Sequence, residues 1–194
     1  LILTQVQDVS NVDVGNYEVI AKVATFGNDT KMDWRLSLRE VGKLVNREAL
    51  AEEKILAFEK TLKEARDGFL ATYEGETAVV FSMMANGKLF AAYRPDFYDK
   101  DLGLGLNLPD GFTRENTFTE MTLESLVDMD PDHMFVNVFV GDEALYEELS
   151  RNPVWQSLKA VKNNNVYILS GFGHSPSSMS TVYTVNAIIE ALNR

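Results

Sequence analysis

The sequence predicts an α/β fold in which a largely parallel sheet is covered by helices on both faces, preceded by a long helix and a smaller α/β fragment. Three observations carry that expectation. After Gly75, short β-branched and aromatic runs alternate with helical patterns. Before it, apolar residues recur at spacings of three and four over residues 48–69, with charges between them. The first 46 residues hold strand, turn and helix signals of their own.

In chain order, residues 1–4 (Leu-Ile-Leu-Thr) read as the middle of a buried strand, an opening that predicts residues upstream. Val19, Ile20, Val23 and Ala24 give a short helical pattern over residues 17–24, and residues 25–29 a strand end and turn. Asp33 is placed to cap a helix whose apolar face is Trp34, Leu36, Leu38, Val41, Leu44 and Val45, ending near Asn46. The helix over residues 48–69 presents Ile55, Phe58, Leu62, Ala65 and Phe69; at 1.5 Å per residue it is roughly 30 Å long. Such a helix serves either as a rigid bridge between lobes or as a solvated helix on one domain. Strands are predicted over residues 77–83, 88–93, 134–140 and 166–169, and helices over residues 96–104, 123–129, 143–149 and 176–192. Asn86-Gly87 is a hairpin turn signal, so the strands flanking it are expected to be antiparallel.

Composition narrows the function. With 45% hydrophobic residues in 194, the chain can bury a core without staples. A net charge of −11, with no basic stripe, argues against a nucleic-acid partner. The lack of cysteine removes disulfides, thiolate metal sites and cysteine nucleophiles together. No run approaches the roughly 20 apolar residues of a membrane span.

Several motifs invite a chemical reading. Asp128-Met-Asp130-Pro-Asp132 resembles the start of a calcium loop, but its sixth position is His133 and its twelfth Phe139, so the acids are read as a helix end and turn. Gly171-Phe-Gly173 stands between a strand and a helix; Pro176 occupies the place of the third small residue that a dinucleotide loop needs. Two readings remain, a turn into a helix capped by Ser175 with Pro176 at its first position, or a loop that lines a ligand. His133 and His174 are the only histidines: the first reads as structural, the second lies at a strand's C-terminal edge, where open α/β sheets hold ligands. No nucleophile elbow occurs. Tyr93-Arg94, before Pro95, offers a guanidinium fork and an aromatic wall suited to an anionic, oxygen-rich ligand; alternatively Arg94 is an exposed residue near Asp96, Asp99 and Asp101.

Three stretches carry a resemblance. Asn152-Pro-Val-Trp155, Leu158, Ala160-Val-Lys162 and Val166-Tyr167 resemble the C-terminal signature of the substrate-binding proteins of iron-siderophore ABC transporters, and Thr122-Leu-Glu124 with Asp130-Pro-Asp132 resembles a repeated element of the same proteins. Asp33-Trp34 with Gly42-Lys-Leu44 is similar to the helix pair that leaves their first lobe. The resemblance implies two Rossmann-like three-layer α/β lobes joined by a long helix, with a ferric siderophore of hydroxamate or citrate type between them. On this chain it implies the end of a truncated N-terminal lobe at 1–46, the inter-lobe helix at 47–70 and a C-terminal ligand-binding lobe at 71–194. Tyr93, Arg94, Phe118 and His174 would line the cleft, and Glu124 would dock with a membrane permease. The protein would be a non-enzymatic monomer without a cofactor, its iron held by the chelator. It would act outside the cytoplasm, in a periplasm or on a lipid anchor, with the rest of the first lobe and any signal or anchor lying upstream. A haem or cobalamin carrier of the same fold, with His174 as an axial ligand, is the nearest alternative, and a nucleotide-binding α/β enzyme a more distant one.

Overall fold

In the computed structural model, which describes residues 1–5, 14–26, 33–112, 114, 118–171 and 178–192, a five-stranded sheet organises the second half of the chain. Its order is β5 (Thr119–Met121), β4 (Leu89–Ala91), β3 (Ala78–Met83), β6 (His133–Val138) and β7 (Val166–Ser170). β3, β6 and β7 are parallel; β4 is antiparallel to β3 and β5, as the Asn86-Gly87 turn requires for the first pair. A positive φ of 77° at Gly87 is the conformation such a turn reserves for glycine.

β3 and β6 are buried along their whole length, so alternate residues feed two cores. Ala78, Val80 and Phe135 face Ile55, Phe58 and Leu62 of α3 (Glu48–Thr72) and Val185 and Ile188 of α9 (Ser178–Leu192). Val79, Phe81, Met134 and Val136 face Leu126 of α5 (Leu123–Met129), Trp155 of α7 (Pro153–Ser157) and Ala160 of α8 (Lys159–Lys162). Helices on both faces of a sheet make the three layers that the alternating pattern predicts. α6 (Glu143–Ser150) completes this half.

The first half is thinner. β1 (Ile2–Gln5) and β2 (Val23–Phe26) form a two-stranded parallel sheet beside α1 (Val14–Glu18). β1 is only partly buried, not the core strand its composition suggests. Val23 and Ala24 belong to β2 and not to a helix, because cross-strand pairing with Ile2 and Leu3 wins over a short apolar period. Asp33 does cap α2 (Trp34–Leu44), accepting from the Arg35 backbone N–H. The buried face of α2 is rotated from the predicted one: Trp34, Arg35, Ser37 and Gly42 are buried, whereas Leu36, Leu44 and Val45 are exposed. Two contacts turn it. A Cβ on Gly42 would stand 2.9 Å from the Ala51 Cβ, so α2 and α3 meet there, and Arg35 reaches Glu59 at 2.7 Å and the Leu102 carbonyl at 2.5 Å.

The predicted helix over residues 96–104 stops after one turn, as α4 (Pro95–Tyr98). Asp99 folds back to accept from the backbone N–H groups of Asp101 and Leu102, 2.8 Å each, an Asx turn that competes with helix continuation. The chain then doubles so tightly that a Cβ on Gly103 would lie 2.1 Å from the Pro95 carbonyl oxygen. α7 and α8 lie in the Asn152–Tyr167 stretch that periodicity left unassigned. The Ser175 cap, Pro176 and the side chain of Phe69 lie outside the described residues.

Candidate functional site at the C-terminal edge of the sheet

Ser82 and Asn137 are register partners near the C-terminal ends of β3 and β6, on the face covered by α3 and α9. With Phe90 of β4, Ala92, Arg94 and Phe118 they line a small depression of about 10 Å³, room for roughly one water. This is the sheet edge at which open α/β folds hold ligands, since crossover helices cover the faces and leave that end open.

Arg94 is placed differently from either reading of the sequence. It is 3% exposed, and its guanidinium is gripped by Asp96, itself 1% exposed. Nε donates to Asp96 Oδ1 at 3.2 Å, Nη2 to Asp96 Oδ2 at 2.6 Å and to Thr181 Oγ1 of α9 at 2.8 Å. The guanidinium carbon lies 4.4 Å from the centroid of the Phe97 ring. The expectation of a free fork aimed at a ligand is therefore corrected: a carboxylate two residues on satisfies the charge, because α4 begins at Pro95 and puts Asp96 in its first turn. The pair ties the start of α4 to α9 at the wall of the depression.

Phe118, 37% exposed, stands at the lip of the same depression. Tyr93 is not among the lining residues; it is half-buried and stacks on Tyr98 at 5.7 Å and 25°. Burial, and then the charge of Asp99, raise the Tyr93 phenol against an opposing effect of Arg114. Tyr98 is buried and its hydroxyl accepts from the Val80 backbone N–H at 2.9 Å. Burial holds that phenol far above its ordinary value. His174 lies outside the described residues. The depression thus brings together Arg94 and Phe118 with Ser82 and Asn137, two residues that sequence reasoning missed. Strand periodicity around Asn137, a polar residue inside an otherwise apolar strand, was the available signal.

Glu124 is exposed in the first turn of α5, behind a capping box in which Thr122 Oγ1 accepts from the Ser125 N–H and Ser125 Oγ from the Thr122 N–H. Its own backbone N–H, and then Thr122, hold the Glu124 carboxyl below the usual range. At the opposite edge, His133 is buried at the start of β6, its Nε2 2.5 Å from Glu76 Oε2 and its ring stacked 6.0 Å from Tyr167, a structural setting. The acids after α5 are structural too: Asp130 Oδ1 accepts from the Lys159 N–H at 2.9 Å, and Asp132 Oδ2 from the Thr77 N–H at 2.8 Å. Among the described residues no cluster of three histidine or acidic side chains is arranged to hold a metal, and no helix is long and apolar enough to cross a membrane.

A three-layer α/β lobe with its open sheet edge turned to a partly apolar depression defines a ligand-binding module. Residues 11–171 match the periplasmic binding protein family, and the chain belongs to that family. It is 27% identical over 165 residues to the "Iron-uptake system-binding protein" of Bacillus subtilis, covering 79% of this chain and 51% of that one. It is 27% identical over 131 residues to the "Fe(3+)-citrate-binding protein YfmC" of the same organism, covering 68% and 40%. The chain therefore spans about half the length, or less, of these curated relatives. A solved structure of the triscatecholate siderophore binding protein FeuA from Bacillus subtilis, complexed with ferri-bacillibactin, shares the fold at a TM-score of 0.78 and 22% identity, over 99% of this chain and 70% of that one.

Proposed function

We propose that the protein is the extracytoplasmic binding component of an ABC uptake system, which captures a ferric siderophore between two lobes and delivers it to a membrane permease. The observation that carries the reading is the depression at the C-terminal sheet edge, on a chain of the periplasmic binding protein family. The iron-related names of both curated relatives support the ligand class. Residues 71–194 form the C-terminal half of the cleft, the helix from 47 to 70 joins it to the other lobe, and residues 1–46 belong to that lobe. Phe118, Tyr93 and His174 are the ligand contacts of this lobe, and Arg94 organises the floor through Asp96. Glu124, exposed and ionised on a capped helix, docks with a cationic residue of the permease. The iron stays within its chelator, capture involves no catalysis, and the protein acts as a monomer.

Calorimetric titration of the intact two-lobed protein with ferric hydroxamate, citrate and catecholate chelates tests this, with haem, cobalamin and ATP as controls. Saturable binding of one ferric class at micromolar affinity or tighter is expected. Binding of none, or only of a control, would refute it. Both tryptophans, Trp34 and Trp155, are 1% exposed in the cores, so heat of binding is a more direct readout than tryptophan quenching by contact.

A further inference from the structure

By sequence α2 falls in the first lobe, yet its buried contacts reach into the second. Their centre is Arg35, 4% exposed. Its Nε donates to Glu59 of α3 at 2.7 Å and its Nη2 to the Leu102 carbonyl at 2.5 Å, while Nη1 stands 3.4 Å from Asp33 Oδ1 at the cap of α2 itself. The guanidinium carbon lies 4.8 Å from the centroid of the Trp34 ring. An arginine that needed only a carboxylate would find one at the surface, in water. This one has been desolvated to hold a peptide carbonyl 67 residues away.

The carbonyl it holds is itself pinned. Leu102 sits in the turn after α4, where Asp99 accepts from the backbone N–H groups of Asp101 and Leu102. Arg66 of α3 donates to the flanking carbonyls, Asp101 at 2.8 Å and Gly103 at 3.0 Å. Three consecutive carbonyls of one turn are thus taken by guanidinium groups, two by Arg66 and one by Arg35. Elsewhere on α2, Trp34 packs edge-on against Phe58 at 5.2 Å, Gly42 meets Ala51, and Arg39 forks onto both oxygens of Glu52 at 2.7 and 3.1 Å. To shift against the second lobe, α2 would have to draw Arg35 from Glu59 and Leu102 together, leaving buried donors and a desolvated charge without partners. β1 and β2, by contrast, are only partly buried, and Thr25 is exposed. Packing of that kind can slide without stranding a charge.

Resting on the two-lobed reading given above, we propose that Arg35 is a latch that makes α2 part of the second lobe's rigid body. The seam across which the lobes move then runs between the β1–β2 sheet and α2, and not between α2 and the helix that joins the lobes. Chelate capture displaces β1 and β2 and leaves α2 fixed to the C-terminal half.

This chain has no cysteine of its own, so spin labels go where one is introduced. In the intact two-lobed protein, labels at Lys43→Cys on α2, Val19→Cys after α1 and Glu148→Cys on α6, all exposed positions, give two distances. Each is measured by double electron–electron resonance, alone and with hydroxamate, citrate and catecholate chelates loaded with diamagnetic gallium(III) in place of iron. The 43–148 distance is expected to be narrow and unchanged by the chelate that binds, whereas the 19–148 distance shifts by more than about 2 Å. Arg35→Met should broaden the 43–148 distribution and let it move with the 19–148 one. Arg35→Lys, which keeps the charge but loses the fork, serves if methionine does not fold. A 43–148 shift on binding in wild type, a distribution left as narrow in the substituted protein, or a bound chelate that moves neither pair would overturn the latch while leaving siderophore capture standing. No ferric binding by wild type would instead refute the functional reading, and the widths without chelate would then decide the latch by themselves.

Discussion

Replacing Asp96 by alanine should be among the most damaging changes to this chain that leave its apolar cores untouched. Asp96 and Arg94 have side chains 1% and 4% exposed, and two of the guanidinium's hydrogen bonds end on the one carboxylate. Removing a partner from a buried ion pair leaves a desolvated charge, at about 3–5 kcal/mol. A urea dependence of about 2 kcal/mol per molar, ordinary for a small protein, converts this to a midpoint lowered by roughly 1.5–2.5 M. Urea unfolding of the chain, followed by the fluorescence of buried Trp34 and Trp155, reads the shift. Removing both charges, as Arg94→Met with Asp96→Leu, should restore most of the loss, since apolar residues of similar volume replace buried pairs at little cost. The coupling energy from the cycle isolates the pair. A loss below about 1 kcal/mol in Asp96→Ala, the range of solvated pairs, would refute the closed pair and return Arg94 to the list of free ligand-binding cations.

Trp155→Ala removes an indole packed edge-on against Phe81 and Tyr146 at 6.4 and 6.2 Å, and should lower stability by about 3–5 kcal/mol in the same urea assay. The Asp132 carboxyl is held below its ordinary value of 3.8: burial raises it, but Lys159 and the N–H and hydroxyl of Thr77 together lower it further. A depressed folded-state value contributes stability present above the unfolded value and lost as pH falls through the folded one. Acid unfolding should therefore steepen below about pH 4, and Asp132→Asn should flatten that limb in a midpoint-against-pH series. Glu124→Ala should leave chelate affinity and folding nearly unchanged while reducing ATP-dependent uptake by the reconstituted transporter; unchanged uptake would remove Glu124 from the docking surface.

The fold was legible wherever local signals and tertiary packing agree. α5 occupies residues 123–129, as its helical pattern predicts, and the Asn86-Gly87 hairpin stands where the turn chemistry puts it. Discrepancies fall where a contact distant in sequence decides. The face of α2 turns because Gly42 admits Ala51 and because Arg35 is drawn inward by Glu59, 24 residues away. α4 is cut short by a side chain, Asp99, that prefers its own backbone to the next helical turn. Neither effect has a period, so a hydrophobic pattern carries no trace of it.

The site shows the same division more sharply. The sequence offers Phe118 and Arg94 as candidates by their position, but not the state of the arginine, since a motif gives the place of a cation and not its counter-ion. The spacing held a usable signal all the same. In Arg94-Pro95-Asp96 the proline starts a helix, an aspartate in its first turn lies beside the residue before the proline, and the N-terminal dipole favours the carboxylate there. An arginine at the cap position then meets that carboxylate at close range. It is the pairing, and not the arginine alone, that sets the charge of the depression: a guanidinium held by a buried carboxylate adds no net positive charge there.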